Sequence, residues 1–321
     1  MQNIFAAKPK EGESWDVVVV GSGPAGLAAA VYTTRGAAST LILGGTPWGG
    51  QLMLTTTVDN YPGFPEGIQG PDLMAAMRKQ ALRFGAEFLE VNLDSIDVDK
   101  KPFELVASGK TYLAKSVIIA TGAKTLWLDA PGVNSLIGRG VSSCAPCDAP
   151  FFKDKKVAVV GGGDSAMEEA LVLTKYATEV AIIHRRDEFK ASVAMQQKVK
   201  DNPKIKILWN TEVVEVVGSQ KLEKVKLKNS KDNTTSELVI DGLFIAIGHK
   251  PDTDLFKEKV ELDERGFVKR VQDKYHTATN VSGVFVSGDV HDHRYKQAVT
   301  AAGFGCMAGM DVLAYLEESR G

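Results

Sequence analysis

The chain contains the same arrangement twice: a short β-branched run, a glycine-rich turn and a stretch of small or helix-forming residues. Residues 16–20 lead into Gly21-Ser22-Gly23-Pro24-Ala25-Gly26 and an alanine-rich segment; residues 156–160 lead into Gly161-Gly162-Gly163-Asp164-Ser165-Ala166 and then residues 167–176. Strand, tight turn and helix in this order form the opening of a β-α-β unit, whose parallel strands need a helix to cross back. Two copies far apart indicate two Rossmann-like dinucleotide-binding domains, hence an α/β fold with two doubly wound halves. The length agrees, because a single core stops growing near this size and the chain divides. With 321 residues, 44% hydrophobic and 24% charged, the composition is that of an ordinary globular protein.

A second pair of signals places the boundaries. Residues 117–122 read VIIATG and residues 243–248 read LFIAIG, each a buried-type strand ending in a glycine turn. After the second comes one more short strand at 284–286, then Ser287-Gly288-Asp289 and a small-residue helix over 297–316. If that last part completes the first domain, residues 1–122 and 249–321 form one discontinuous domain and residues 123–248 are inserted into it. Insertion at such turns is physically easy because few contacts cross them.

A lone GxGxxG is a weak signal, but Gly21, Gly23 and Gly26 follow a strand and open a helix. Gly21 permits the turn, Gly23 lets the backbone approach a pyrophosphate, and Gly26 lets helix and strand pack, with the helix N-terminus favouring negative charge. The end of the second strand, residues 40–45, offers no Asp or Glu for a ribose hydroxyl, so this motif leaves its nucleotide unspecified. The second motif carries Arg185 and Arg186 after His184 at that point, which favours a 2′-phosphate and NADP over NAD. The competing reading pairs both arginines with Asp187 and Glu188 at the surface. His184 is expected to pack or hydrogen-bond rather than catalyse.

Cys144-Ala145-Pro146-Cys147 has the spacing of a dithiol that closes and reopens by thiol exchange. Zinc would need two more ligands, and the third cysteine, Cys306, lies far along the chain, while His291 and His293 lack a paired CxxC; no metal is expected. Cys306 reads as a small buried apolar residue. Asp148 follows Cys147 directly. It is either the proton donor for a departing thiolate or a helix cap or turn residue, and spacing alone does not separate the two.

The remaining totals exclude rather than assign. A net charge of −2 points to neither nucleic acid nor anionic lipid. Residues 1–14 carry Lys8, Lys10, Glu11 and Glu13 and lack the apolar stretch of a secretory signal, and the apolar runs at 17–20 and 157–160 are too short to span a bilayer. The expected location is the cytoplasm, with no membrane partner.

Taken in order, these features resemble the low-molecular-weight thioredoxin reductases over essentially the whole chain. The matching stretches are GSGPAG from Gly21, GGQL from Gly49, ATG from Ala120, CxxCD from Cys144, GGGDSAMEEA from Gly161, HRRDEFKA from His184, GD at Gly288 and KQAVTAAGFGCMA from Lys296. The resemblance implies FAD on the discontinuous domain, held by Gly21, Gly23, Pro24, Ala25, Gly26, Gln51, Asn60, Thr121, Gly122, Gly288, Asp289, Lys296, Gln297 and Ala298. Asp289 would take the ribityl chain, with Gln297 and Ala298 beside the flavin. It implies NADPH on the inserted domain, held by Gly163, Asp164, Ser165, His184, Arg185, Arg186 and Lys190. Cys144 would attack the protein substrate, Cys147 would face the flavin, and Asp148 would be acid and base. Thioredoxin as partner and a homodimer are further implications, as is rotation of the inserted domain about the turns near Gly122 and Gly248. The chain departs from the pattern at Lys190 and Lys296, where arginine is common; lysine keeps the charge and loses the bidentate fork. Three other readings stand beside this one: a different disulfide acceptor such as a glutaredoxin-like protein or a peroxidase subunit, a donor other than NADPH, and a flavin redox sensor without turnover.

Overall fold

The computed structural model describes residues 6–271 and 274–319; of the N-terminal stretch weighed above for targeting, residues 1–5 lie outside them. The chain forms two compact units, Met1–Lys124 with Lys250–Gly321, and Thr125–His249. Its two crossings lie close to Gly122 (φ +75°) and Gly248 (φ +122°), both in the region that favours glycine.

The first unit is built on a seven-stranded sheet. Its central strand is Ser14–Val20, in which Val17, Val18 and Val19 are wholly buried, as a strand covered on both faces requires. Thr40–Leu43 and then Glu87–Leu89 lie parallel on one side. On the other lies Lys110–Ile119, whose two halves pair differently. Its first half runs antiparallel to Phe103–Ala107, which pairs in turn with Leu93–Asp97. Its second half takes Val284–Val286 as a parallel neighbour, in the register Val284 to Val117 and Val286 to Ile119. The late strand therefore completes the sheet that the first one starts.

Helices Pro24–Arg35 and Ala298–Glu318 pack together on this sheet, and small residues set how closely. A β-carbon added at Gly305 would lie 2.2 Å from the Ala25 carbonyl oxygen, and one at Gly309 would lie 2.8 Å from Tyr32 Cβ. Among the described residues Ala298–Glu318 is also the one helix long and apolar enough to cross a membrane by length and composition, with a mean hydropathy of 1.4. The short apolar runs considered in the sequence miss it, because glycine, alanine and threonine dilute it. Here it is a packing element of the domain. Cys306 is not fully buried as expected: one position round from Gly305, it is partly exposed, with its thiol 3.9 Å from Met310 Sδ.

The second unit has a five-stranded parallel sheet in the order Val141–Ser142, Gly242–Ile245, Lys156–Val160, Glu179–His184, Ile205–Trp209. A three-stranded antiparallel sheet, Thr211–Val217, Lys224–Asn229 and Thr235–Val239, accompanies it. The helix expected over 167–176 spans Asp164–Leu173. It starts at once because Gly163 is extended and leaves Asp164 as the first helical residue. It stops earlier because the chain must turn into Glu179–His184, and the Thr174 hydroxyl donates back to the Leu171 carbonyl at 2.8 Å.

Candidate active site

The first glycine turn is built by exclusion. A β-carbon at Gly21 (φ +112°) would fall 2.2 Å from the Ala120 carbonyl oxygen, and one at Gly26 would fall 2.0 Å from the Gly21 carbonyl oxygen, both immovable backbone. Gly23 differs, with nothing within 4 Å of its missing β-carbon, so its backbone is open to a ligand. It also caps Pro24–Arg35, with no side chain bonded to the helix N-terminus. The turn thus presents free N–H groups and the positive end of the helix.

These groups line a cavity of about 870 Å³ within the first unit. Of the residues the resemblance assigns to FAD, Gly21, Gly23, Pro24, Ala25, Gln51, Thr121, Gly122, Asp289, Lys296, Gln297 and Ala298 line it. Gly26, Asn60 and Gly288 support the lining instead. Gly26 allows the close packing just described, Asn60 Nδ2 donates to Gln297 Oε1 at 3.1 Å, and Gly288 (φ +77°) leaves room for Ala25. Two polar atoms at this wall, Ser287 Oγ and Asp289 Oδ1, are buried and have no hydrogen-bond partner. Burial, with help from the charge of Asp292 and against that of Lys296, pushes the Asp289 carboxyl up to about 7. Buried polar groups without partners are rare, and here they mark where a polyhydroxyl ligand would bond.

Sequence reasoning missed part of this wall. The Ser22 hydroxyl donates to the Gly44 carbonyl at 2.5 Å and accepts from the Gly49 amide at 2.8 Å, clamping the glycine turn to the loop after the second strand. In place of an acid at that strand's end stand Gly44, Gly45 and Thr46, with Asn92 Oδ1 accepting from the Thr46 amide at 2.9 Å. The Gly44-Gly45 pair was the available signal. Asn92 and Ser287 come from distant segments that carry no local mark.

In the second unit the glycine turn is again shaped by backbone. A β-carbon at Gly161 would lie 2.5 Å from the Ala246 carbonyl oxygen, and Gly163 has open space. Gly162 accommodates the buried ring of His184, which packs against Phe189 and Trp209 with Nε2 2.8 Å from the Glu188 carbonyl oxygen. His184 is a packing residue. The Gly162 carbonyl accepts from the amides of Lys190 (2.8 Å) and Ala191 (3.1 Å), and the Asp164 carboxylate accepts from the amide and hydroxyl of Ser192. These bonds tie the basic loop to the glycine turn. Arg185, Arg186 and Lys190 are exposed there. The surface-pairing alternative loses Asp187, which bonds Lys231 at 3.1 Å; among the described residues no ion pair engages either arginine.

The dithiol lies on a single turn of helix, Ala145–Asp148, with Cys144 as its cap. Cys144 and Cys147 are joined as a disulfide, their Cα atoms 5.3 Å apart. The Cys144 carbonyl accepts from the amides of Cys147 (3.2 Å) and Asp148 (3.1 Å), so the redox pair and the acid belong to one backbone turn. Asp148 makes no side-chain cap bond to the turn that follows it. Burial raises its proton affinity, and the neighbouring Ser142 hydroxyl partly offsets that rise. Among the described residues no group of three or more potential ligands could hold a metal.

A family model described as pyridine nucleotide-disulphide oxidoreductase matches residues 15–305. The chain belongs to this family. It is 48% identical over 303 residues to a thioredoxin reductase of Mycolicibacterium smegmatis, covering 94% of this chain and 97% of the relative. A bifunctional thioredoxin reductase/thioredoxin of Mycobacterium leprae is 47% identical over 308 residues, 95% of this chain and 67% of that one. The solved thioredoxin reductase of Giardia duodenalis superposes with a TM-score of 0.91 at 41% identity, covering 95% of this chain and 99% of that one. The protein is accordingly an NADPH-dependent flavin disulfide oxidoreductase with FAD and NADPH as cofactors. The open glycine, the free helix N-terminus and the orphaned Ser287 and Asp289 atoms fit a flavin dinucleotide.

Proposed function

We propose that this chain reduces the disulfide of a thioredoxin with electrons from NADPH. The observation that carries the proposal is the Cys144–Cys147 disulfide on one helical turn with the shielded carboxyl of Asp148. FAD would lie in the cavity of the first unit, its pyrophosphate on Gly21–Gly26 and its polyol at Asp289 and Ser287, with Gln297, oriented by Asn60, and Ala298 at the isoalloxazine end. NADPH would lie on Gly163, Asp164 and Ser165, with Arg185, Arg186 and Lys190 around the 2′-phosphate. Bound FAD supplies a two-electron relay between nicotinamide and disulfide.

The chain's own residues do the thiol chemistry. The Cys144 thiolate attacks one sulfur of the partner's disulfide, whose S–S bond breaks as the new one forms. The departing sulfur carries the electron pair and takes a proton held by Asp148. Cys147 then attacks Cys144, restoring the internal disulfide and releasing the partner's second sulfur. The protein is also proposed to act as a cytoplasmic homodimer.

Anaerobic titration with NADPH tests the proposal. About one equivalent should bleach the flavin, and oxidised thioredoxin should restore its absorbance. A bleached flavin that thioredoxin fails to reoxidise would leave the acceptor unidentified and the proposal wrong. Replacing both Arg185 and Arg186 with alanine is expected to raise KM for NADPH by about tenfold or more, with little change for NADH, since only NADPH has the phosphate they would contact. Equal effects on both donors would return the arginines to a structural role.

A further inference from the structure

A flavin dinucleotide is a linear string of isoalloxazine, ribityl, pyrophosphate, ribose and adenine. With its pyrophosphate on Gly21–Gly26 and its polyol at Asp289 and Ser287, the adenosine is left with the wall that follows the second strand. There the lining runs through residues 44–48 and includes Asn92. The end of that strand carries no acid, so the usual ribose contact is missing from it. What the wall does carry is an aromatic ring. Among the described residues the lining includes two such side chains; Phe256 is wholly buried in the core, whereas Trp48 is partly exposed. We propose that Trp48 is the contact for the adenine of FAD: its indole offers a face on which the purine stacks, and Arg78 is the positioning residue that holds the ring. The inference rests on the placement of FAD given above.

The ring is held by groups that do not themselves line the cavity. Arg78 belongs to the helix Gly70–Arg83, and its guanidinium carbon lies 4.6 Å from the ring centre of Trp48 and 4.0 Å from that of Phe88. Trp48 and Phe88 meet edge to face, their centroids 5.9 Å apart. The guanidinium is fixed in turn by Glu90, whose Oε1 lies 2.7 Å from it. The Glu90 carbonyl accepts from the Thr46 hydroxyl at 2.8 Å, and the carbonyls of Leu89 and Val91 accept from the amides of Gly44 and Gly45. The loop that bears Trp48 is thereby stitched to the segment that bears Phe88 and Glu90. One face of the indole is taken by a cation and the opposite face is left for a ligand. An exposed ion pair alone is worth little, but here it orients a guanidinium that stacks on two rings. A ring ordered before the cofactor arrives also spares the binding step the cost of ordering it.

Titrating the flavin-free full chain with FAD, and separately with FMN, tests the proposal. Trp48→Ala should weaken FAD by about tenfold or more, the usual worth of a base stacked on an aromatic ring, and leave FMN, which lacks the adenylate, within about twofold. Trp48→Phe keeps an aromatic face and should hold FAD within about threefold of the parent, whereas Trp48→Leu, apolar without such a face, should not. ADP carries no flavin, so by stacking alone it should quench part of the tryptophan emission of the parent and lose that quenching in Trp48→Phe. Arg78→Gln should weaken FAD by roughly threefold in the parent and no further in Trp48→Ala, because its effect runs through the ring. Equal losses for FAD and FMN in Trp48→Ala would make the ring a mere support of its loop and overturn the proposal. Unchanged FAD affinity in Trp48→Leu, or no quenching by ADP in the parent, would overturn it too. Should the alanine variant fail to fold, the contrast between Trp48→Leu and Trp48→Phe decides. Gly23→Ala run alongside separates the two layers. If that variant also binds FAD as the parent does, the placement of the cofactor fails, whereas a weakened Gly23→Ala beside an unaffected Trp48→Leu removes only the role of Trp48.

Discussion

Cys144→Ser and Cys147→Ser are each expected to abolish thioredoxin reduction while leaving FAD bound, because the dithiol lies in one unit and the cavity lining in the other. The two variants should differ in what they trap. In Cys147→Ser the attacking thiol survives, so a thioredoxin lacking its own resolving cysteine should remain linked to Cys144 as a mixed disulfide, visible on a non-reducing gel and released by dithiothreitol. Cys144→Ser should trap nothing, yet its remaining thiolate should give a long-wavelength absorbance with oxidised flavin. Asp148→Asn should keep both thiols and the cofactor and slow turnover on the order of a hundredfold, the usual contribution of a positioned proton donor. Equal trapping by both serine variants would reverse or cancel the assigned order of attack.

The second large effect separates the glycines of the first turn. Gly26→Ala places a β-carbon 2.0 Å from the Gly21 carbonyl oxygen, where no side chain can yield, so the turn itself must shift. That variant is expected to purify without flavin and with a lowered apoprotein Tm. Gly23→Ala meets nothing within 4 Å, so the apoprotein should keep its Tm. Its new methyl group nevertheless occupies space a pyrophosphate would use, and FAD affinity should fall by at least about tenfold, or ~1.4 kcal/mol. Titrating both apoproteins with FAD by flavin fluorescence checks the pair. If Gly23→Ala binds FAD as tightly as the parent, the cofactor does not approach the turn there.

Much of this was legible because the decisive signals are local. A glycine turn between strand and helix is written in six consecutive residues, and the dithiol and its neighbouring acid in five. The choice between cap and acid for Asp148 could not be made from spacing. It depends on the surroundings of the carboxyl, which is partly buried, a setting that raises its proton affinity, and makes no side-chain cap bond to the turn that follows. The cavity wall was harder still. Asn92, Ser287 and Thr46 line one cavity only through the tertiary fold: Asn92 accepts from the Thr46 amide, whereas Ser287 Oγ is buried without a partner. The acidic residue sought at the end of the second strand does not exist, and its neighbourhood is supplied by an amide from a later loop. Cys306 was misjudged because helix position, rather than residue type, decides which side chains of Ala298–Glu318 are covered.

The strand Val284–Val286 pairs with Val117–Ile119 across the whole inserted unit, and the helix after it packs on the first helix of the chain. During synthesis on a ribosome the order of completion is thereby inverted. Thr125–His249 has all its own strands as soon as it emerges and can fold as a local unit, whereas the half begun first stays open at the edge of Lys110–Ile119 until the last strand arrives. Until then the apolar edge at Val117, Ile118 and Ile119 is unpaired, the kind of exposed strand that chaperones guard and neighbouring chains invade. With FAD held as proposed, its capture would consequently come late in the life of each chain, since Ser287, Asp289 and Gln297 join the cavity only with that closing strand and helix.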